Sequence, residues 1–158
     1  FVLAKTYYDQ VIALARKNSD WSYLAYAAFA RGMVYEKLQD EEGMMASYHE
    51  VLNAGDNCVL PKGLIGWSLF DIGKIYQKRG EFDTAQKYIS DSLIQFKKES
   101  DEDSQISAYR SLAFIYHESG NTNLAIENLI LAMTITQQRG DLPETESLRD
   151  LIASLKPI

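Results

Sequence analysis

The residues able to do chemistry are few in this chain and stand apart. Its two histidines, His49 and His117, fall in separate segments. Neither has a cysteine or a second histidine at the spacing that lets two ligands reach one ion. Cys58 is the single cysteine, so it has no internal disulfide partner. It lies beside Val59 and Leu60 with no neighbour that marks its thiolate as activated. The run Glu99-Ser100-Asp101-Glu102-Asp103 is acidic like a calcium loop, but it lacks the alternating ligands, central glycine and closing glutamate of that motif. It reads as a solvated turn with an acidic helix cap. No phosphate-cradling glycine loop, nucleophile elbow or zinc-protease helix motif occurs. The expectation is a non-enzyme: no catalytic residue, no metal, no cofactor.

Composition narrows the remaining classes. The chain has 158 residues, 46% hydrophobic and 24% charged, which is ordinary for one globular domain able to build its own core. Its net charge of −6 opposes attraction to nucleic acid or to anionic lipid. No apolar run approaches the roughly 18 residues of a membrane span, and no signal-peptide pattern opens the chain. Residue 1 is Phe, already inside a helical pattern. The chain therefore reads as a piece of something longer, with a cytoplasmic setting as the expectation.

Helices that would position any site emerge from an internal repeat. Tyr35, Tyr76 and Tyr116 recur at intervals of 41 and 40 residues, each three residues after a small one at Gly32, Gly73 or Ala113. Four residues after each tyrosine come Gln39, Gly80 and Gly120. Five further on stand Met44, Ala85 and Ala125, a series that Ala4 extends backward by 40. Tyr8, Tyr48, Ile89 and Leu129 follow in the same register, and then Val11, Val51, Ser92 and Ala132. Small residues let paired helices approach, and the tyrosine fills the space beside them. Helices are expected near 2–17, 20–38, 41–54, 61–79, 82–98, 102–119, 122–139 and 143–156. Asp20, Asp101 and Asp141 suit N-caps, Pro61 and Pro143 suit first helical positions, and Gly80 and Gly120 suit left-handed C-caps.

The segments Ile72-Gly73-x-x-Tyr76-x-x-x-Gly80-x-Phe82-x-x-Ala85 and Leu112-Ala113-x-x-Tyr116-x-x-x-Gly120-x-x-x-x-Ala125 resemble the tetratricopeptide repeat. The resemblance implies an all-α fold, a right-handed superhelix of helix-turn-helix repeats, as a single domain over 1–158. Residues 1–19 would be the helix B remnant of a preceding repeat, 20–59, 60–100 and 101–141 full repeats, and 142–158 a C-terminal capping helix. In that last helix Leu148, Leu151, Ile152 and Leu155 share one face. Two features depart from the family: the period is about 40 rather than 34, and Arg31 stands where the other copies have Ile72 and Leu112.

The resemblance also implies a concave groove lined by helix A. Its positions fall at Tyr26, Phe29, Met33, Glu36 and Lys37, at Trp67, Phe70, Lys74, Gln77 and Lys78, and at Ser107, Arg110, Phe114, His117 and Glu118. Aromatic and apolar side chains alternate there with four cations against two acids, which suits a protein or peptide partner carrying apolar anchors and some acid. The competing expectation is that the aromatics serve the core. The clamp for acidic chaperone tails is missing, since two of its positions hold Phe29 and Met33. Long helix B tails are similar to those of long-repeat arrays in bacterial signalling proteins; kinesin light chains share the length and match the residues less well. The implied function is a protein-interaction module of a larger regulatory protein. The alternative is a sensor for a signal peptide or small molecule that controls an attached effector. No nucleic-acid or membrane contact is expected, and self-association stays open. Circular dichroism should show a helical spectrum without sheet; a strand-rich spectrum would end the repeat reading.

Overall fold

The structure, a computed structural model, describes residues 1–155 and arranges them as eight helices with no strand among them. They are α1 (Val2–Lys17), α2 (Trp21–Leu38), α3 (Glu41–Gly55), α4 (Leu64–Lys78), α5 (Phe82–Glu99), α6 (Glu102–Glu118), α7 (Thr122–Gln138) and α8 (Leu142–Leu155). Each packs on the next, and α2/α3, α4/α5 and α6/α7 form the three expected pairs. In addition α2 touches α4 and α4 touches α6, whereas α3, α5 and α7 do not touch one another. The array therefore curves with α2, α4 and α6 on its inner side. The fold is an α solenoid.

Six of the seven helix junctions use one device. A residue with positive φ, at Ser19, Gln39, Gly80, Ser100, Gly120 or Gly140, ends one helix. The N–H of the following residue bonds back to the carbonyl five positions earlier, as in Asp40 to Tyr35 (3.0 Å) and Asn121 to Tyr116 (2.7 Å). This is the Schellman arrangement. That same following residue then starts the next helix. Asp20, Asp40, Asp101 and Asp141 accept hydrogen bonds from the backbone N–H three residues on; Glu81 and Asn121 make no such side-chain bond. Reversal and initiation thus occupy two residues.

The seventh junction, between α3 and α4, differs from expectation. Helix α4 begins at Leu64 rather than at Pro61. The Pro61 carbonyl accepts a turn bond from Leu64 N–H, and Gly63, at φ 87°, donates its N–H to the Glu99 carboxylate at 2.9 Å. That anchor holds Gly63 outside the helix as its N-cap. At the other end α8 starts at Leu142, one residue before Pro143, and buries Thr145, Leu148 and Ile152 while Leu151 stays 39% exposed at the edge of the apolar face. The expected helix residue 156 lies outside the described residues.

Close approach sets the repeat interior. A Cβ built on Gly73 would lie 2.5 Å from Ile89 Cγ1 and 3.2 Å from its backbone nitrogen, and one on Gly32 would lie 2.5 Å from the Tyr48 ring. Ile89, Leu129 and Tyr48 are essentially inaccessible to solvent. Arg31 has a different solution. Its guanidinium donates to Ser47 Oγ (3.0 Å), Asp9 Oδ1 (2.9 Å) and Glu50 Oε2 (2.7 Å), and Arg16 also pairs with Glu50. One cation therefore ties α1, α2 and α3 together where the other copies use apolar contact. Burial works upward on the Asp9 carboxyl, and hydrogen bonds from Arg31 and Lys5 outweigh it, leaving its pKa below the ordinary value.

Two stability measurements follow. Arg31→Leu restores the apolar residue of the other copies, yet it leaves Glu50 and Asp9 without their shared partner; chemical denaturation should show a loss of about 3 kcal/mol. Glu81→Asp supplies the shorter acid that caps four of the other junctions and should gain about 1 kcal/mol.

Candidate concave groove

The fifteen candidate positions lie on α2, α4 and α6, the helices of the inner side. Tyr26, Met33 and Phe114 are 51%, 50% and 47% exposed. Lys37, Lys74, Lys78, Arg110 and His117 are exposed, while Phe29, Trp67 and Phe70 are half-buried. The half-buried three have a double role. Trp67 and Phe70 meet edge to face at 5.5 Å between centroids, and both lean on the fully buried Phe96, at 5.4 and 6.3 Å. Gly66 admits that ring, since a Cβ there would be 2.6 Å from Phe96 Cε1. Phe29 packs on Tyr48 at 5.7 Å. One side of each aromatic belongs to the core and the other lines the groove.

Three depressions open along this surface. The largest, about 870 Å³, lies between α2, α3 and α4 with Phe114 of α6 at its rim; Glu36, Met44, Phe70, Asp71 and Lys74 line it. A second, about 430 Å³, runs between α4, α6 and α8, lined by Phe70, Lys74, Ile106, Arg110 and Glu144. A third, about 350 Å³, is bounded by Phe29, Leu64, Trp67 and Glu99. Phe70 and Lys74 form the ridge between the first two. Tyr26, Met33, Lys37 and His117 lie outside all three.

The electrostatics differ from the sequence expectation. Five carboxylates outside the fifteen positions reach the same surface: Glu41, Asp71, Glu99, Asp101 and Glu144. Lys78 pairs with Glu41, and Arg110 pairs with Glu144 across to α8. The expected cationic excess is thereby cancelled. Lys74 is in no ion pair among the described residues; its ammonium donates to Gln77 Oε1 at 2.9 Å. Its side chain reaches solvent between the groove walls, and the loss of surrounding water lowers its pKa. Asp71 is shifted the other way, up to about 6, by burial first, with the Glu36 charge adding to it and a hydrogen bond from the Tyr48 hydroxyl opposing it. Burial and the Asp71 charge push the Tyr48 phenol up in turn. Asp71 escaped the sequence reading, although a signal existed: the equivalent positions in the other repeats are the small Ala30 and Ser111.

The tetratricopeptide repeat profile matches residues 64–152. No curated protein matches the chain in sequence. Among solved structures, the nearly identical tetratricopeptide-like repeats of a putative kinesin light chain from Podosopora anserina superpose with a TM-score of 0.64 at 15% identity, covering 96% of this chain and 84% of that one. BtubC (BKLC) from P. vanneervenii superposes with a TM-score of 0.61 at 13% identity, covering 98% of this chain and 81% of that one. At such identities the likeness speaks for the fold alone. With the repeat register, the six shared junctions and a family match over more than half its length, the chain belongs to the tetratricopeptide repeat family.

Proposed function

We propose that this domain binds a segment of a partner protein in the groove of α2, α4 and α6, and that it has no turnover of its own. Tetratricopeptide repeats in general mediate protein–protein contacts. The observation that carries the groove reading is the ridge of Phe70 and Lys74 between two depressions. An aromatic held rigid by Phe96 on one side offers an anchor surface at little entropic cost on the other. Lys74 supplies a cation without an acidic partner among the described residues, and an acidic side chain of the bound segment would complete it. Phe114, Trp67 and Phe29 extend the apolar surface to either side. The 40-residue period and long helix B tails support a place within a larger regulatory protein.

The test begins with binders from a displayed random dodecapeptide library. Phe114→Ala should weaken selected peptides by about 2 kcal/mol and leave the melting temperature nearly unchanged, because Phe114 is half exposed. Trp67→Ala should instead cost both affinity and about 3 kcal/mol of stability, through its contact with Phe96. Lys74→Glu should slow association and flatten its salt dependence. Peptides whose affinity ignores both Phe114→Ala and Lys74→Glu would place binding elsewhere.

A further inference from the structure

Asp71 is a charge the fold does not require. The same position in the neighbouring repeats is Ala30 and Ser111, so a small residue suffices for the packing of helix A. Withdrawing a carboxylate from water is costly unless a cation compensates it; Asp71 is half-buried and belongs to no ion pair among the described residues. Of the groups that face it, one adds to that cost and one reduces it. From α2 comes Glu36, a like charge; from α3 comes the Tyr48 hydroxyl, which favours the ionised form; on α4, Lys74 is turned to Gln77. Lys78 and Glu41, further along the same wall, neutralise each other. Helix α5, packed on the other side of α4, turns Ala85 and Ile89 toward Gly73. The carboxylate lines the largest depression of the groove together with Met44, Phe70 and Phe114.

Resting on the groove reading above, we propose that Asp71 determines specificity by receiving a basic side chain, arginine or lysine, from the bound segment. A guanidinium or ammonium entering there would replace lost hydration with a charge-assisted hydrogen bond to Asp71, with Glu36 adding to the attraction. Its aliphatic stem would lie along Met44, and the Phe70 and Phe114 rings offer the faces on which such cations settle. The segment would then carry two opposite charges one helical turn apart in the groove, an acid at Lys74 and a base at Asp71.

Protonation links this contact to pH. Because the folded-state pKa of Asp71 lies above its ordinary value, the folded protein holds this proton more tightly than the unfolded chain between about pH 4 and 6. Asp71 thus costs stability above that window, and the cost vanishes below it. Random dodecapeptides should be selected at pH 7.5 on the wild type and on Asp71→Asn. The wild-type pool should be enriched in Arg or Lys at one position beside apolar residues, and the Asn pool should lose that enrichment. A wild-type-selected peptide should bind Asp71→Asn at least tenfold more weakly. Its affinity for the wild type should fall between pH 7.5 and 5, and its affinity for the variant should not. The melting temperature of Asp71→Asn at pH 7 should equal or exceed that of the wild type. A lower melting temperature would make Asp71 a structural partner of Tyr48 and overturn the proposal. Equal basic enrichment in both pools, with binding still sensitive to Phe114→Ala, would overturn it while leaving the groove in place. Peptides insensitive to Phe114→Ala and Lys74→Glu would remove both readings together.

Discussion

The whole architecture depends on how little chain separates one helix from the next. In six junctions a single left-handed residue stops one helix and the residue after it caps the following one. With two residues to spend, consecutive helices have no choice but to reverse and pack side by side, so neighbour contacts are imposed before any side chain is considered. Three of the six left-handed positions are Ser or Gln rather than Gly, a conformation that costs an L-residue about 1 kcal/mol or more. The paired helices must supply enough burial to hold those turns. They do so through the small-on-large contacts of Gly32 with Tyr48 and Gly73 with Ile89, which are available only when the helices lie close.

Curvature then follows from the same contacts. Helix α4 reaches both α2 and α6 directly, and α3, α5 and α7 do not touch one another. A concave wall is a consequence of that asymmetry, and its lining is whatever helix A carries at the positions left over from packing. The linear repeat of a solenoid means that each wall segment is specified within its own 40 residues. The groove can therefore change character from α2 to α6 without disturbing the scaffold.

This locality explains what was legible in the sequence. Junction residues and small-residue contacts act within a few positions or within one repeat, so the 40-residue register exposed them: seven of the helix starts were placed within a residue or two, and Asp20, Asp101 and Asp141 cap as expected. The exception is the start of α4. Its position depends on a bond from Gly63 to Glu99, 36 residues away, which no local rule contains. Groove electrostatics were illegible for the same reason. Glu144 of α8 reaches Arg110 of α6, and Glu41 of α3 reaches Lys78 of α4; these pairings join different repeats. The double role of Trp67 and Phe70 likewise required Phe96 to be seen between them.

Two residues break the repeat register with a charge, and the contrast between them shows how such breaks are to be read. Arg31 replaces an apolar residue and Asp71 a small one; either looks anomalous in sequence. Arg31 is met by hydrogen-bond acceptors from α1 and from two places on α3, so its charge is absorbed by the scaffold and welds the first repeat. Asp71 finds a single hydroxyl and a like charge, and it faces the largest opening of the concave wall. In a repeat protein the fold supplies the expected residue at each position, and a charged exception must therefore be balanced somewhere. Where the chain itself provides the counter-charge, the exception belongs to structure. Where it does not, the exception marks a residue to test for binding, which is the ground of the Asp71 proposal.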